Sequence, residues 1–518
     1  MERMKTLGQL IGGLEIIEAR GAMDAPITGV CYDSRQAEPG SLFVCLKGSR
    51  VDGHRFIAHA VSRGAVAVIA EEDIRPDAAP TPAYVRVPAS RAALAAVAAD
   101  FYDHPASGLA LVGITGTNGK TTTSLLLESV LRRAGLEPGI LGTLAYRWAG
   151  REIPAPMTTP ESLDLQRIFR QMLDDGVSHV VMEVSSHALA LGRVAGLCFR
   201  AGVFTNLSQD HLDFHRSMEQ YFSAKELLFS KCLDAGRSVA AVNADDAYGK
   251  RLLENGVRGA RLLTYSAGPA VAPPSFKGVE GVFAKDARLG PGGISALLST
   301  PRGDLKIESP LVGRLNLYNV LAAVSASVGL DLPLDAVAGG IRAVSEVDGR
   351  LQRVEVPERL GYHVIVDYAH TPDAMEKALT CLREMTPGWL IGVFGCGGDR
   401  DRGKRPLMGK IGARLCDLVV LTSDNPRTED PETILDEVEA GVRETGIPRF
   451  NPGDAPPNCK CYTRCADRRR AIDLALSLAR HGDLVFIGGK GHETYQIIGT
   501  TKHPFDDRQV VREYLAGR

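Results

Sequence analysis

From Leu109 onward the chain repeats one pattern: a short apolar run, a glycine-rich or charged turn, then a helical segment. Few folds are open to a chain built this way. The alternation implies a largely parallel sheet with helices on both faces. The spacing predicts strands at 109–114, 180–184, 201–205 and 239–242, with a helix over 120–134. A second doubly wound series starts near Val347, with strands at 363–367, 390–394, 418–422 and 484–487. Between the two, residues 267–310 are rich in Gly and Pro with weak alternation, which predicts hairpins and irregular structure ahead of a helix at 318–328. Upstream, residues 1–108 read as a small mixed domain. It has strands at 41–46 and 65–70 around a helix at 56–63, a Pro/Ala-rich loop at 77–82 and an Ala-rich helix at 92–99. A chain of 518 residues is too long for one core. The expected fold class is therefore α/β with three domains, divided at 1–108, 109–346 and 347–518.

Charged residues make up 24% and hydrophobic residues 44%, the balance of a soluble globular protein. The net charge of -2 and the lack of a long basic run argue against nucleic acid or an anionic membrane surface as partner. No apolar run reaches about 18 residues, and residues 1–14 lack the core of a signal peptide. A cytoplasmic monomer is expected. The ten cysteines then read as reduced thiols. Cys459, Cys461 and Cys465 cluster without a common zinc spacing, so a surface insertion is the better reading.

The polar clusters fall directly after the predicted strands, where open α/β sheets bind ligands. Gly116-Thr117-Asn118-Gly119-Lys120-Thr121-Thr122 links a strand to a helix. Glycines admit phosphate oxygens to backbone N–H groups, and the helix N-terminus favours their charge. Lys120 would reach the β- and γ-phosphates of a nucleoside triphosphate, and Thr121 would ligate Mg2+. The usual spacing would place glycine at 114, but Ile114 stands there and Gly113 one residue earlier. Glu183, at the next strand tip, suits a second Mg2+ contact. His211 follows the strand after that and suits either metal or phosphate. Lys225, from its helical context alone, reads as a solvated lysine.

Four loops end strands of the third unit: 367–373, 395–402, 424–427 and 488–493. They offer Arg400, Asp424, Asn425, Arg427 and Glu493 at one sheet edge. Arginine grips a carboxylate with two parallel hydrogen bonds, while carboxylate and amide oxygens receive an ammonium. The mixture describes a pocket for an amino acid with additional charged groups.

Gly-Thr-Asn-Gly-Lys-Thr at 116–121, Glu-Val-Ser-Ser-His at 183–187, Asp-Tyr-Ala-His-Thr-Pro at 367–372 and Asp-Asn-Pro-Arg at 424–427 together make the chain resemble the Mur ligase family over essentially its whole length. The resemblance extends to the offset phosphate loop. It implies a domain for the UDP moiety, a central ATPase and a C-terminal Rossmann-like domain for the incoming amino acid. It also implies ATP-driven amide formation through an acyl phosphate, with Mg2+, in peptidoglycan precursor synthesis. Members with Asp-Asn-Pro-Arg add meso-diaminopimelate to UDP-MurNAc-L-Ala-D-Glu. Lysine-adding members usually lack that arginine.

Carried over residue by residue, the resemblance places Ser34, Thr158, Thr159, Ser185 and Arg193 on the UDP-muropeptide. Asn319 and His370 go with the phosphate loop on the nucleotide. Asp424, Asn425, Pro426, Arg427, Arg400, Gly489 and Glu493 go on diaminopimelate. Lys225 matches a lysine carbamylated by CO2 that helps hold Mg2+, which overrides its solvated reading. Lys120, Glu183, His211 and Lys225 form the implied catalytic set. Met157 and Leu191 stand where other members carry polar residues, a departure that touches only muropeptide contacts. Two other readings are a sister ligase such as a folylpolyglutamate synthetase or another Mur ligase, which would not be expected to carry Asp-Asn-Pro-Arg with the Gly-Gly-Asp-Arg loop, and a P-loop switch or binding module without ligase chemistry, which needs no arginine-lined third domain.

Overall fold

The computed structural model describes residues 4–48, 51–73, 82–257, 259–268, 280–454 and 456–517. Most of the loop read at 77–82 and the stretch 269–279 of the insertion read at 267–310 lie outside the described residues. The chain separates into two compact units. One comprises 1–265, 272–280 and 322–336, the other 266–271, 281–321 and 337–518.

The first unit holds a two-stranded ribbon, Lys5–Thr6 with Pro26–Ile27, and two larger sheets. In the N-terminal one, strands Gly29–Cys31, Ser41–Val44, Ala67–Ala70 and Ala83–Arg86 run parallel in that spatial order, and Glu18–Arg20 closes one edge antiparallel. The second sheet sets six parallel strands in the order Pro138–Leu141, His179–Glu183, Ala110–Thr115, Phe199–Phe204, Val239–Asn243 and Arg261–Ser266. A hairpin, Ala145–Trp148 with Arg151–Pro154, extends it antiparallel; the strand reading did not anticipate this hairpin. The parallel strands are buried along nearly their whole length because helices cover both faces. The chain leaves Ala110–Thr115 for one side of it and later crosses to the other. The loops at its carboxyl end therefore diverge and open a crevice.

In the second unit, the strands Glu280–Gly290, Gly293–Thr300 and Gly303–Ser309 form an antiparallel meander where hairpins were expected. The helix expected at 318–328 runs from Gly313 to Gly329. A further sheet sets His363–Asp367, Leu484–Gly488, Leu390–Phe394, Leu418–Leu421 and Cys461–Arg464 parallel in that order, with Gln352–Val354 antiparallel at the edge. Separate apolar clusters cover its two faces. One is built around Met375, Leu379, Phe394 and Met408, the other around Val364, Ile472, Leu476 and Val511. The late strand Leu484–Gly488 inserts between the first and second strands of this series. Its loop thereby comes beside those of its neighbours. Cys461 lies inside an edge strand, Cys459 is exposed and Cys465 is half-buried; all three are free thiols.

Candidate active site

The phosphate loop is the four residues between the strand ending at Thr115 and the helix starting at Lys120. Gly116 has φ +147°, and a Cβ there would stand 1.9 Å from Thr205 Oγ1, so only glycine fits. The next strand clamps the loop. Thr117 N–H donates to Asn206 O (2.8 Å), Asn118 N–H to Asn206 Oδ1 (3.1 Å), and Thr205 Oγ1 to Asn118 O (2.7 Å). Gly119, at φ +87°, forms the N-cap, and Thr122 is buried in the first turn of the helix. Lys120 Nζ donates to Gly116 O and Thr117 O, both at 2.9 Å. Ile114 is fully buried in the strand, so the offset glycine belongs to the sheet and the loop proper starts at 116.

Glu183 is 1% exposed at the tip of the adjacent strand. Thr121 Oγ1 donates to its Oε1 (2.9 Å), as does Thr143 N–H (2.9 Å), and Thr143 Oγ1 donates to Oε2 (3.1 Å). Thr143 was not singled out from sequence; it follows the strand Pro138–Leu141, which the strand reading did not include. His211 follows the strand on the other side, at φ +54°, with its ring edge-on to His187 at 4.8 Å.

Lys225 corrects the solvated reading: it is 1% exposed. Its Nζ donates to Gly116 O (2.9 Å) and lies 4.6 Å from the centre of the Tyr221 ring. Burial pushes the ammonium well below the usual lysine range, and the charge of Lys120 adds to the shift. The signal was present in the spacing. Tyr221, Phe222, Leu228 and Phe229 are buried on the same helix, and Lys225 is three or four residues from each.

Next to Glu183, Thr143 Oγ1 meets Thr158 Oγ1 at 3.1 Å. Thr159 Oγ1 donates to Glu183 O (2.8 Å) and accepts from Ser185 N–H (3.0 Å). Arg193 Nη1 donates to Thr159 O (3.1 Å) and lies 3.3 Å from Met157 Sδ, while its Nε is 3.4 Å from the buried Glu161 carboxylate. Thr158, Thr159, Ser185 and Arg193 are thus brought into one cluster, with the apolar Met157 at its margin. Ser34 lies in the N-terminal sheet domain, buried, with its Oγ 2.9 Å from His59 Nδ1.

The second unit gathers the four C-terminal loops. Asp424, Asn425 and Pro426 are buried. Arg427, half-buried with φ +51°, donates from Nη1 to Gly398 O (2.9 Å). Arg400 is exposed on the neighbouring loop. A Cβ on Gly397 would lie 2.9 Å from Arg427 Nη1 and 3.9 Å from Arg400 Cγ. Gly489, at φ +113°, leaves room for Asp424, whose Oδ2 would be 2.4 Å from a Cβ there. Asn425 Nδ2 donates to Glu493 Oε2 (2.9 Å).

Two buried cations beneath these loops were not singled out. Lys490 Nζ donates to Asn425 Oδ1 (3.1 Å) and Glu493 Oε2 (3.2 Å). Arg468 pairs with Asp507 through two hydrogen bonds of 2.7 Å and donates to Gly488 O (3.0 Å) and Ser423 O (3.5 Å), the carbonyls preceding Gly489 and Asp424. Lys490 stands inside the quoted 488–493 motif, but Arg468 opens a run of three arginines that reads as solvated. Asn319 is buried in its helix, donating to Asn316 Oδ1 (3.0 Å). His370 is exposed, with its ring 4.5 Å from that of Tyr368.

A clamped phosphate loop beside a buried carboxylate, with a separate arginine-lined pocket on another sheet, defines a ligase that spends nucleotide energy on joining an amine. Family models agree: "Mur ligase family, catalytic domain" matches 26–102, "Mur ligase middle domain" 114–327 and "Mur ligase, glutamate ligase domain" 349–491. The chain belongs to the Mur ligase family. UDP-N-acetylmuramoyl-L-alanyl-D-glutamate--2,6-diaminopimelate ligase of Geobacter metallireducens is 48% identical over 500 residues, 95% of either chain. The enzyme of that name from Geobacter sulfurreducens is 46% identical over 98% of this chain and 97% of its own. A solved structure of a ligase with this name aligns over 99% of both chains at TM-score 0.70 and 31% identity.

Proposed function

We propose that this protein joins meso-2,6-diaminopimelate to UDP-MurNAc-L-Ala-D-Glu with hydrolysis of ATP to ADP and phosphate, adding the third residue of the peptidoglycan stem peptide. The observation that carries the reading is the C-terminal pocket: a buried Asp424 and a half-buried Arg427 on one loop, Arg400 on the next and Glu493 on a third. That set matches an amino acid with a distal carboxylate as well as a distal ammonium. The identity to diaminopimelate ligases over nearly the full length supports it. In this reading residues 1–108 hold the UDP moiety through Ser34, residues 109–346 carry the ATPase and residues 347–518 the amino acid. Thr158, Thr159, Ser185 and Arg193 hold the dipeptide beside the phosphate loop, and Asn319 and His370 serve the nucleotide. The reading includes a monomer acting in the cytoplasm.

The donor set beside the loop suits Mg2+ if Lys225 is carbamylated. The Thr121 hydroxyl and Glu183 carboxylate would offer hard oxygen donors and the His211 imidazole a nitrogen, whereas an ammonium offers no lone pair. A buried amine held below its usual range is the form that adds CO2. The ammonium first gives up a proton, the freed lone pair bonds to the carbon of CO2 and a second proton leaves, so that a cation becomes an anionic carbamate. Bound there, Mg2+ would spread the charge of the β- and γ-phosphates.

Lys120 offsets negative charge as the dipeptide's terminal carboxylate bonds to the γ-phosphorus and the bond to ADP breaks. Thr158, Thr159 and Arg193 fix the dipeptide so that this carboxylate is the oxygen presented. The amine of diaminopimelate then bonds to the acyl carbon and loses its proton, and phosphate leaves the tetrahedral centre. Arg400 and Arg427 select the amine donor by its distal carboxylate, because a ligand without it leaves them unpaired.

The test is phosphate release with ATP, Mg2+ and UDP-MurNAc-L-Ala-D-Glu, comparing meso-diaminopimelate with L-lysine. Release with diaminopimelate, with the tripeptide product seen by mass, is expected. Equal release with lysine would overturn the pocket assignment, and none with either would overturn the function.

A further inference from the structure

Lys490 is fully buried, a costly place for an ammonium unless its surroundings need the charge. Its partners are two residues of the amino-acid pocket, Asn425 Oδ1 and Glu493 Oε2, and the Tyr495 ring lies 5.8 Å away. Asn425 Oδ1 also accepts from Ile497 N–H (2.9 Å), which fixes the amide so that Nδ2 faces Glu493 (2.9 Å). Glu493 Oε2 thus receives two donors, and Oε1 has no hydrogen bond among the described residues. Arg468 nearby is cancelled by its own buried partner, Asp507.

We infer that Lys490 is a positioning residue that sets the charge balance of the amino-acid pocket and so discriminates against amine donors lacking the distal carboxylate. The inference rests on the proposed diaminopimelate reading and adds a determinant to it. Counting Lys490 with the residues assigned to diaminopimelate gives three cations, Arg400, Arg427 and Lys490, against two anions, Asp424 and Glu493. Diaminopimelate brings two ammonium and two carboxylate groups and is neutral overall. Lysine lacks one carboxylate and brings a net positive charge into a pocket that already has a surplus. Discrimination therefore comes from repulsion of the wrong ligand as well as from the arginines' attraction to the right one. Lys490 also holds Glu493 and Asn425 in a single arrangement and spares the ligand the cost of ordering them.

The test compares kcat/KM for meso-diaminopimelate and L-lysine in the wild-type enzyme and in Lys490→Met, with KM for ATP and for the dipeptide as controls. In Lys490→Met the ratio favouring diaminopimelate should fall at least about tenfold, one such factor being roughly 1.4 kcal/mol, while both control KM values stay put. An unchanged ratio in folded Lys490→Met overturns the inference. If that variant does not fold, Glu493→Gln decides. Losing the carboxylate that Lys490 neutralises adds to the positive surplus, so the ratio should rise. A ratio that stays or falls would mean that Lys490 does not set the balance. Wild-type enzyme without turnover on diaminopimelate would sink the functional reading instead, and is seen before any variant is made.

Discussion

Lys225 can be buried because the rest of its helix face is apolar and one carbonyl, Gly116 O, accepts its hydrogen bond. That carbonyl belongs to the phosphate loop, so a change of charge at Lys225 acts on the nucleotide site at contact range. Lys225→Ala should lose most phosphate release and regain part of it when short-chain carboxylates are added, since these can stand where the carbamate would. Wild-type activity in the variant would count against the carbamate. His215 is a second buried titratable group in this region, 4% exposed, with Nε2 2.9 Å from Ser186 Oγ. Burial, with His187 next in weight, holds its pKa down to about 4. Between pH 6.5 and 4 the unfolded chain takes up a proton that the folded chain refuses. The contribution of His215 is therefore complete above pH 6.5 and is lost as the pH falls toward 4. In His215→Gln the melting temperature should decline less steeply over that window; a slope equal to the wild type's would assign the acid sensitivity elsewhere.

At the scale of elements, Arg468 fastens two strand ends at once through Ser423 O and Gly488 O, and its charge is paired with Asp507, both side chains being 0% exposed. Arg468→Met leaves Asp507 buried and unpaired, which costs about 3–5 kcal/mol. Arg468→Met with Asp507→Leu should recover much of that in denaturant melts. Recovery of stability without recovery of diaminopimelate KM would separate fold support from loop positioning. This pair also marks the limit of what the sequence made legible. Strands such as His363–Asp367 and Leu390–Phe394 were readable to the residue because parallel strands covered on both faces are short, continuous apolar runs. The site loops were readable because they end those strands. Arg468 and Lys490 were not, because a cation's burial depends on what packs over it from distant segments: Asp507 lies 39 residues from Arg468, and Asn425 lies 65 from Lys490. The hairpin Ala145–Trp148 with Arg151–Pro154 escaped for a related reason: one of its strands is wholly exposed and carries no apolar run.

At the scale of the whole molecule, the C-terminal sheet has its two faces covered by clusters drawn almost entirely from residues after 347. Val312, with Leu315 packed against the same cluster, is the exception. A domain of about 170 residues buries enough of its surface to fold alone. A fragment covering 347–518 should therefore melt in one cooperative transition, at a lower temperature than the full chain because the cluster loses Val312 and the Gly313–Arg314 backbone that lies against Cys381. Arg400, Asp424, Asn425, Arg427, Gly489, Lys490 and Glu493 all lie inside it, whereas Lys120 and Glu183 do not. The fragment should thus bind meso-diaminopimelate in preference to L-lysine by calorimetry and release no phosphate from ATP. Cooperative melting without diaminopimelate binding would mean that the pocket is completed by residues upstream of 347, and a non-cooperative melt would mean that the division at 347 cuts through a core.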